Sequence, residues 1–176
     1  TYGCESGGDP KNIPDLTYEN FLNFHRTYYH PSNSYIYLYG NMDMEEKLAF
    51  LDEHYLSHFD YLDVDSVIQE QKAFGACRDV TLEYPVAENE GEEDNTYLSY
   101  NMVVGNAADS QMAMAFEVLD YALLSAPGAP LKQALLDVKA GKDVYGSYDD
   151  GILQPYFTVI AKGSNPDRKE EFVSVI

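Results

Sequence analysis

The sequence predicts an α+β fold, an antiparallel sheet with helices packed on one of its faces. Three observations carry this. Segments with an apolar period near 3.6 residues are interleaved with segments of strict alternation. The alternating segments follow one another in pairs, 78–84 then 96–104 and 144–148 then 154–162, an order that favours antiparallel neighbours. Hydrophobic residues make up 45% of 176 positions, with 16 Tyr and 8 Phe, enough to bury a core rather than stay disordered.

The elements follow in order. Residues 1–16 are turn-rich, with Gly3, Gly7, Gly8, Asp9-Pro10 and Pro14. Thr17 or Asp15 can cap the helix that follows, and Glu19 in its first turn suits the helix dipole. Phe21, Phe24 and Tyr28 share one face of it. Pro31 ends it, because the residue before a proline, here His30, is pushed away from the α region. Residues 34–39, "SYIYLY", read as a strand between Asn33 and Gly40. Asp43 with Glu46 fits a helix-capping pattern, and Met44, Leu48, Leu51, Tyr55 and Phe59 continue at helical steps to about Phe59.

Residues 60–76 lack a period and read as a connector. Residues 78–84 alternate as a strand, with Val80 and Leu82 on one side. "ENEGEEDN", 88–95, is a solvated acidic loop. After the strand 96–104, Asp109 or Ser110 can cap a helix to about Leu124, whose expected apolar face is Met114, Val118, Tyr121 and Leu124. Pro130 suits the first turn of a further helix and Gly141 its stop. Strands near 144–148 and 154–162 follow, and Asn165-Pro166 opens a last helix.

Charge and cysteine content narrow the function classes. The net charge is −19 and the isoelectric point about 4.2, a balance that repels nucleic-acid phosphates and anionic membranes and attracts basic partners. No apolar run approaches the ~20 residues of a membrane helix, and the chain does not open on a signal-peptide pattern. Cys4 and Cys77 form no Cys-x-x-Cys motif, so a reducing compartment is expected.

Four histidines are present. His54 and His58, at i and i+4 with Glu53 beside them, would share one helix face, a spacing that can bind zinc. The third ligand and the base of a His-Glu-x-x-His site are missing, and histidines near a helix C-terminus also suit its dipole. His25 and His30 straddle a helix end, where capping or packing accounts for them. Asp149-Asp150 belongs to a hairpin loop. Ser6-Gly7-Gly8 does not fit Gly-x-Ser-x-Gly, and no phosphate-binding Gly-x-x-x-x-Gly-Lys occurs.

Beyond single residues, "SGGDPKNIPDLTYENFLNFHRTYYHPSNSYIYLYGNMDMEEKLAFLDEHYLSHF" resembles the insulinase/pitrilysin family of zinc metallopeptidases, in its presequence-protease branch. The resemblance continues through "TYLSYNMVVGNAADSQMAMAFEVLDYALLSAPGAPLKQALLD" and "DVYGSYDDGILQPYFTVIAKG". It implies a LuxS/mitochondrial-processing-peptidase-like repeat fold of which the chain holds parts of two consecutive units. Residues 1–60 would be the C-terminal tail of the first, catalytic unit, 61–77 a linker, and 78–176 the front of the second.

The family's zinc site is an inverted His-x-x-Glu-His with a distant glutamate as third protein ligand. This chain lacks it: His54 is preceded by Glu53, but Phe50 stands where the first histidine is required. No catalytic or metal residue is therefore assigned, and an Arg-Tyr substrate pair of the family does not carry over to Tyr145 in "VYGSY". By the resemblance, zinc belongs to the parent protein and none is bound by this segment. The partners implied are the upstream catalytic unit, a peptide substrate of the parent, and the segment itself by self-association.

The expectation is thus a non-catalytic segment of a zinc-dependent peptidase that degrades unstructured peptides in a closed chamber. A structural or interaction subunit of the same fold without activity is the alternative, and a free-standing metal module using His54 and His58 the third. The compartment implied is the bacterial cytoplasm, with the mitochondrial matrix as the alternative.

Overall fold

The structure is a computed structural model, and it describes residues 7–176. The expected turn at Gly3 and the Cys4 thiol lie outside the described residues. The chain divides into two compact units, one up to Gln69 and one from Glu70.

The first unit is built from local signals. Thr17 Oγ1 accepts from Asn20 N–H at 3.1 Å and starts helix α1, Tyr18–Tyr28. Asp15 lies in a 3-10 turn, Ile13–Asp15, and does not cap. Asp43 Oδ1 accepts from Glu46 N–H at 3.1 Å and starts α2, Met44–His54. Each cap satisfies an amide that the first helical turn leaves without a partner. The helix expected to reach Phe59 stops five residues short: Tyr55, at φ −140° and ψ −65°, breaks it, and a separate 3-10 turn, Leu56–His58, follows. Residues 34–39 carry no strand, contrary to expectation. A strand is a pairing, and among the described residues of this unit none lies alongside to share its N–H and C=O groups. Not one described residue of this unit is buried; Phe21, Phe24 and Leu48 are 66%, 59% and 55% exposed.

The second unit holds the core. Strands β1 (Thr96–Val103), β2 (Asp143–Asp149) and β3 (Tyr156–Ser164) form an antiparallel sheet in the order β1-β3-β2. The register sets Leu98 and Val144 on either side of Ala161, and Tyr100 and Gly146 on either side of Val159. That row faces helices α3 (Ser110–Asp120), α4 (Pro130–Asp137) and α5 (Lys169–Val175), which contribute Leu135 and Phe172 to the same buried cluster. On the other face, alternate residues Tyr97, Ser99 and Asn101 are exposed, and the buried Thr158 hydroxyl donates to Asn101 Oδ1 at 2.7 Å.

Asp109 Oδ1 caps α3 through Met112 N–H at 3.0 Å. At its far end the helix widens into a π turn, Tyr121–Ser125, closed by Ala126 N–H on Tyr121 O at 2.7 Å. This turn overturns the expected apolar face: Leu124 is buried, while Met114, Val118 and Tyr121 are each more than 60% exposed. Ala113, Phe116 and Asp120 point inward instead, and Phe116 packs on Tyr148 and Phe157 with ring centroids 5.5 and 5.9 Å apart.

Gly146 makes this packing fit. A Cβ there would lie 2.2 Å from Thr158 O and 2.5 Å from Leu124 Cδ1, so the π turn rests on bare backbone.

Helix α4 ends earlier than Gly141. Lys139 takes φ +55°, its N–H bonds to Leu136 O, and Ala140 N–H bonds to Leu135 O, both at 2.9 Å. This is a Schellman closure with lysine where glycine is usual. Residues 78–84 form no strand in this structure either.

Candidate functional site

The densest polar arrangement of the first unit is "YYHPSN". Helix α1 ends at Tyr28, and Asn33 Nδ2 donates to the Tyr28 carbonyl at 2.9 Å, satisfying one group of its open C-terminus. His30, extended at φ −90° and ψ 145° before Pro31, accepts from Ser32 N–H through Nδ1 at 3.1 Å. Its ring meets Phe59 edge-on, with centroids 5.3 Å apart. Ser34 Oγ donates to Pro31 O at 2.8 Å, and Ser32 Oγ accepts from Leu62 N–H at 3.1 Å. Beside this knot lies a cleft of about 390 Å³ walled by Tyr28, Tyr29, His30 and Tyr55. Its polar groups are taken up in turning the chain, so the arrangement is an aromatic-walled recess with a fixed imidazole rather than a nucleophile–base pair.

The expected shared face of His54 and His58 does not exist. Tyr55 ends the helix between them: His54 closes α2 with its ring 4.7 Å from Phe50, and His58 closes the separate 3-10 turn. The Glu53 backbone carbonyl accepts from Ser57 Oγ at 3.5 Å. His25 stacks on Tyr29 at 4.8 Å with the planes 12° apart. No group of three or more His, Cys, Asp or Glu side chains that could hold a metal ion occurs among the described residues.

In the second unit Asp149 is the last residue of β2, paired with Tyr156, rather than part of the loop as expected. Its carboxylate accepts from Gly151 N–H at 3.1 Å, which shapes the turn that follows, and from the Tyr156 hydroxyl at 3.0 Å. The bond to Asp149, and then its charge, raise the Tyr156 hydroxyl above the usual tyrosine range. Asp150 acts on Tyr148: burial first, then the charges of Asp150, Glu117 and Asp109, raise that phenol. Tyr145 sits on the open sheet face, 40% exposed, and Cys77 is an exposed free thiol.

Two features were not foreseen. Asp94, at φ +58°, is clasped by Asn165: Asp94 N–H donates to Asn165 Oδ1 and Asn165 Nδ2 donates to Asp94 Oδ1, both at 2.8 Å, with Lys142 Nζ 3.1 Å from the other carboxylate oxygen. The Asn165 bond first, then Lys142, hold this carboxyl below the ordinary aspartate range. Asp120 is the opposite case. Its Oδ1 is buried without a partner, and burial raises its carboxyl. An acid inside "VLDYALL" was the one available signal for it.

The chain belongs to the M16 peptidase family, the insulinase/pitrilysin group: residues 15–176 match the family model described as Peptidase M16 inactive domain. It is 47% identical over 175 residues to Protein HypA of Clostridium perfringens, an alignment covering 99% of this chain and 18% of that protein. It is 36% identical over 180 residues to Presequence protease 1, chloroplastic/mitochondrial, of Arabidopsis thaliana, covering 100% of this chain and 17% of that protein. Against the mitochondrial presequence protease of Xenopus laevis the figures are 32% over 181 residues, with 100% and 17% covered. The chain thus spans less than a fifth of the length of these relatives. It is a non-catalytic segment of a peptidase-family protein. No helix among the described residues is long and apolar enough to cross a membrane.

Proposed function

We propose that this segment walls and braces the reaction chamber of a zinc-dependent peptidase that degrades unstructured peptides, while the metal and the reacting groups are held by the catalytic unit it packs against. One observation carries the reading. The chain exposes 14237 Å². A compact protein of 19.8 kDa exposes about 8,600 Å², and two separate domains of half that mass about 10,400 Å². The excess is concentrated in the first part: no described residue before Leu98 is buried, although α1 and α2 are capped and rich in aromatic side chains. Surface of this kind is built to be covered.

In this reading residues 1–60 are the tail of the catalytic unit, 61–77 the linker and 78–176 the front of the next unit. The division between Gln69 and Glu70 falls within that linker. Relatives named presequence proteases, mitochondrial ones among them, support a peptide substrate for the whole protein. The host compartment would be the bacterial cytoplasm or the mitochondrial matrix. The substrate-binding residues are not assigned to this segment.

The test is reconstitution. The chain alone should bind no catalytic zinc and hydrolyse no peptide, and should self-associate through its uncovered helices. Mixed with an M16 catalytic segment carrying His-x-x-Glu-His, it should form a soluble complex that cleaves a flexible peptide in a zinc-dependent way. A complex without cleavage would identify a structural subunit instead. A rigid monomer that forms no complex would refute both.

A further inference from the structure

The unassigned surface with the most defined chemistry is the free edge of β1. Val104 N–H donates to Pro155 O at 2.8 Å, at the end of a ladder in which Met102 faces Phe157, Tyr100 faces Val159 and Leu98 faces Ala161. Hydrogen-bonded positions alternate along an antiparallel strand. The even-numbered residues of β1 therefore direct their peptide groups at β3, and Tyr97, Ser99, Asn101 and Val103 direct theirs away from it. Among the described residues no strand pairs with that side. Such a row is a template for any extended chain.

Residues 70–95 are anchored at both ends of this edge. At one end Gln71 and Gln154 pair reciprocally, Gln71 N–H to Oε1 at 2.6 Å and Nε2 to Gln71 O at 3.1 Å. Gln154 adjoins Pro155, where β1 ends. At the other end the Tyr84 ring meets Tyr97 edge-on with centroids 5.9 Å apart, and the Tyr84 hydroxyl donates to Asn95 O. Between the anchors the backbone has no regular structure, and Val80 and Leu82 are 71% and 83% exposed.

We propose that residues 78–84 are a strap that closes on β1 as a fourth antiparallel strand, with Tyr84 opposite Tyr97, Leu82 opposite Ser99, Val80 opposite Asn101 and Arg78 opposite Val103. The Tyr84–Tyr97 contact sets the register. Two contacts agree on which side of the sheet each residue takes. Tyr84 lies against Tyr97, on the open face. Asp79, of opposite parity, is ion-paired with Lys169 of α5, on the helix-covered face. Residues 72–77 provide slack.

Closed, the strap satisfies the outward peptide groups of β1 and places Leu82 in the row Ser99–Ile160–Tyr145 on the open face. Open, it leaves an edge that an extended segment of another chain can pair with. The strap thus governs access to the edge.

Backbone amide exchange in the full chain tests this. Ser99 and Asn101 should be protected. Leu82→Pro removes an N–H aimed at β1 and should speed exchange at Ser99 and Asn101 by about tenfold or more. Thr81→Pro, whose N–H points away from β1, should change them by less than about twofold. Leu98 and Tyr100, bonded to β3, should stay protected in both variants and report that the sheet is folded. Free exchange of Ser99 and Asn101 in the unsubstituted chain, or equal effects of the two prolines, would overturn the proposal. In a Cys4→Ser, Cys77→Ser background, the pair Leu82→Cys with Ser99→Cys should oxidise faster than Thr81→Cys with Ser99→Cys. The reverse order would overturn the register.

Discussion

Helix α1 and helix α5 make a useful pair. Both begin after a proline-marked turn, and both carry aromatic side chains, several on α1 and Phe172 alone on α5. The longer and better capped of the two, α1, buries nothing, with Phe21 66% exposed. The seven-residue α5 sets Phe172 into the core at 1% exposure. What separates them is the neighbour. Helix α5 has a sheet to lie on, and α1 belongs to a unit with no strand among its described residues. A cap and a period make a helix; only a complementary surface turns its apolar face into stability.

The sharpest way to break this comparison is to truncate both aromatics. Phe172→Ala should cost about 3–5 kcal/mol in the denaturant-induced unfolding of the second unit. Phe21→Ala should change stability by no more than about 0.5 kcal/mol in the chain alone. If the chain is a wall of a larger assembly, the cost of Phe21→Ala should grow once a catalytic segment is bound. An equal cost in the isolated chain would show that α1 already has its covering surface.

A smaller effect is expected at Gly146. Gly146→Val should destabilise the second unit by about 1–3 kcal/mol, because the new side chain meets a carbonyl and Leu124 rather than solvent. The matching change at Gly75, where a Cβ would meet nothing within 4 Å, should be close to neutral. Urea midpoints of the two variants measure the difference.

The weakest contrast is electrostatic, between two aspartates of the second unit. Asp120 has a raised folded-state value, so the folded chain holds that proton more tightly than the unfolded chain. Its contribution is fully favourable at pH below the ordinary aspartate value and is lost as pH rises through the folded value. Asp94 is lowered, and its contribution is present above the ordinary value and lost as pH falls through the folded one. Asp120→Asn should therefore raise the melting temperature at pH 7, by less than about 4 °C. Asp94→Asn should lower it. Both differences should shrink toward zero in acid. Thermal scans across pH check the sign, and shifts in the same direction would contradict the burial and clasp described here.

These contrasts also show what was legible in the sequence. The caps at Thr17, Asp43 and Asp109 were readable because each is a bond between a side chain and a backbone amide three residues away. The three strands of the sheet were readable because alternation survives wherever one face is covered. Residues 34–39 have the same alternation and no partner, and pairing is not a local property. For α3 the period admits two apolar stripes. The π turn at Tyr121–Ser125, which brings Leu124 inward, leaves no mark that a 3.6-residue count detects. The shared face of His54 and His58 failed for a similar reason, since nothing in the composition announces that Tyr55 leaves the helix. Of the site features, the turn that follows Asp149 was visible in its neighbours, although Asp149 itself closes β2, whereas the Asp94–Asn165 clasp joins residues far apart in sequence and was invisible.

The strand order has a further consequence for how the molecule is made. The middle strand of the sheet, β3, is the last of the three to leave the ribosome, and among the described residues both outer strands pair only with it. Leu98 waits for Ala161, and Val144 waits for the same residue. Until then β1 lacks its β3 partner, β2 has no strand beside it, and the nascent chain carries a helix with apolar stripes on two sides, a state open to chaperones and to misassembly. Contacts between such distant positions also slow closure of the sheet. Synthesis paused before β3 should therefore yield an unfolded, chaperone-bound chain, and release past Ser164 should let the whole sheet form in one step.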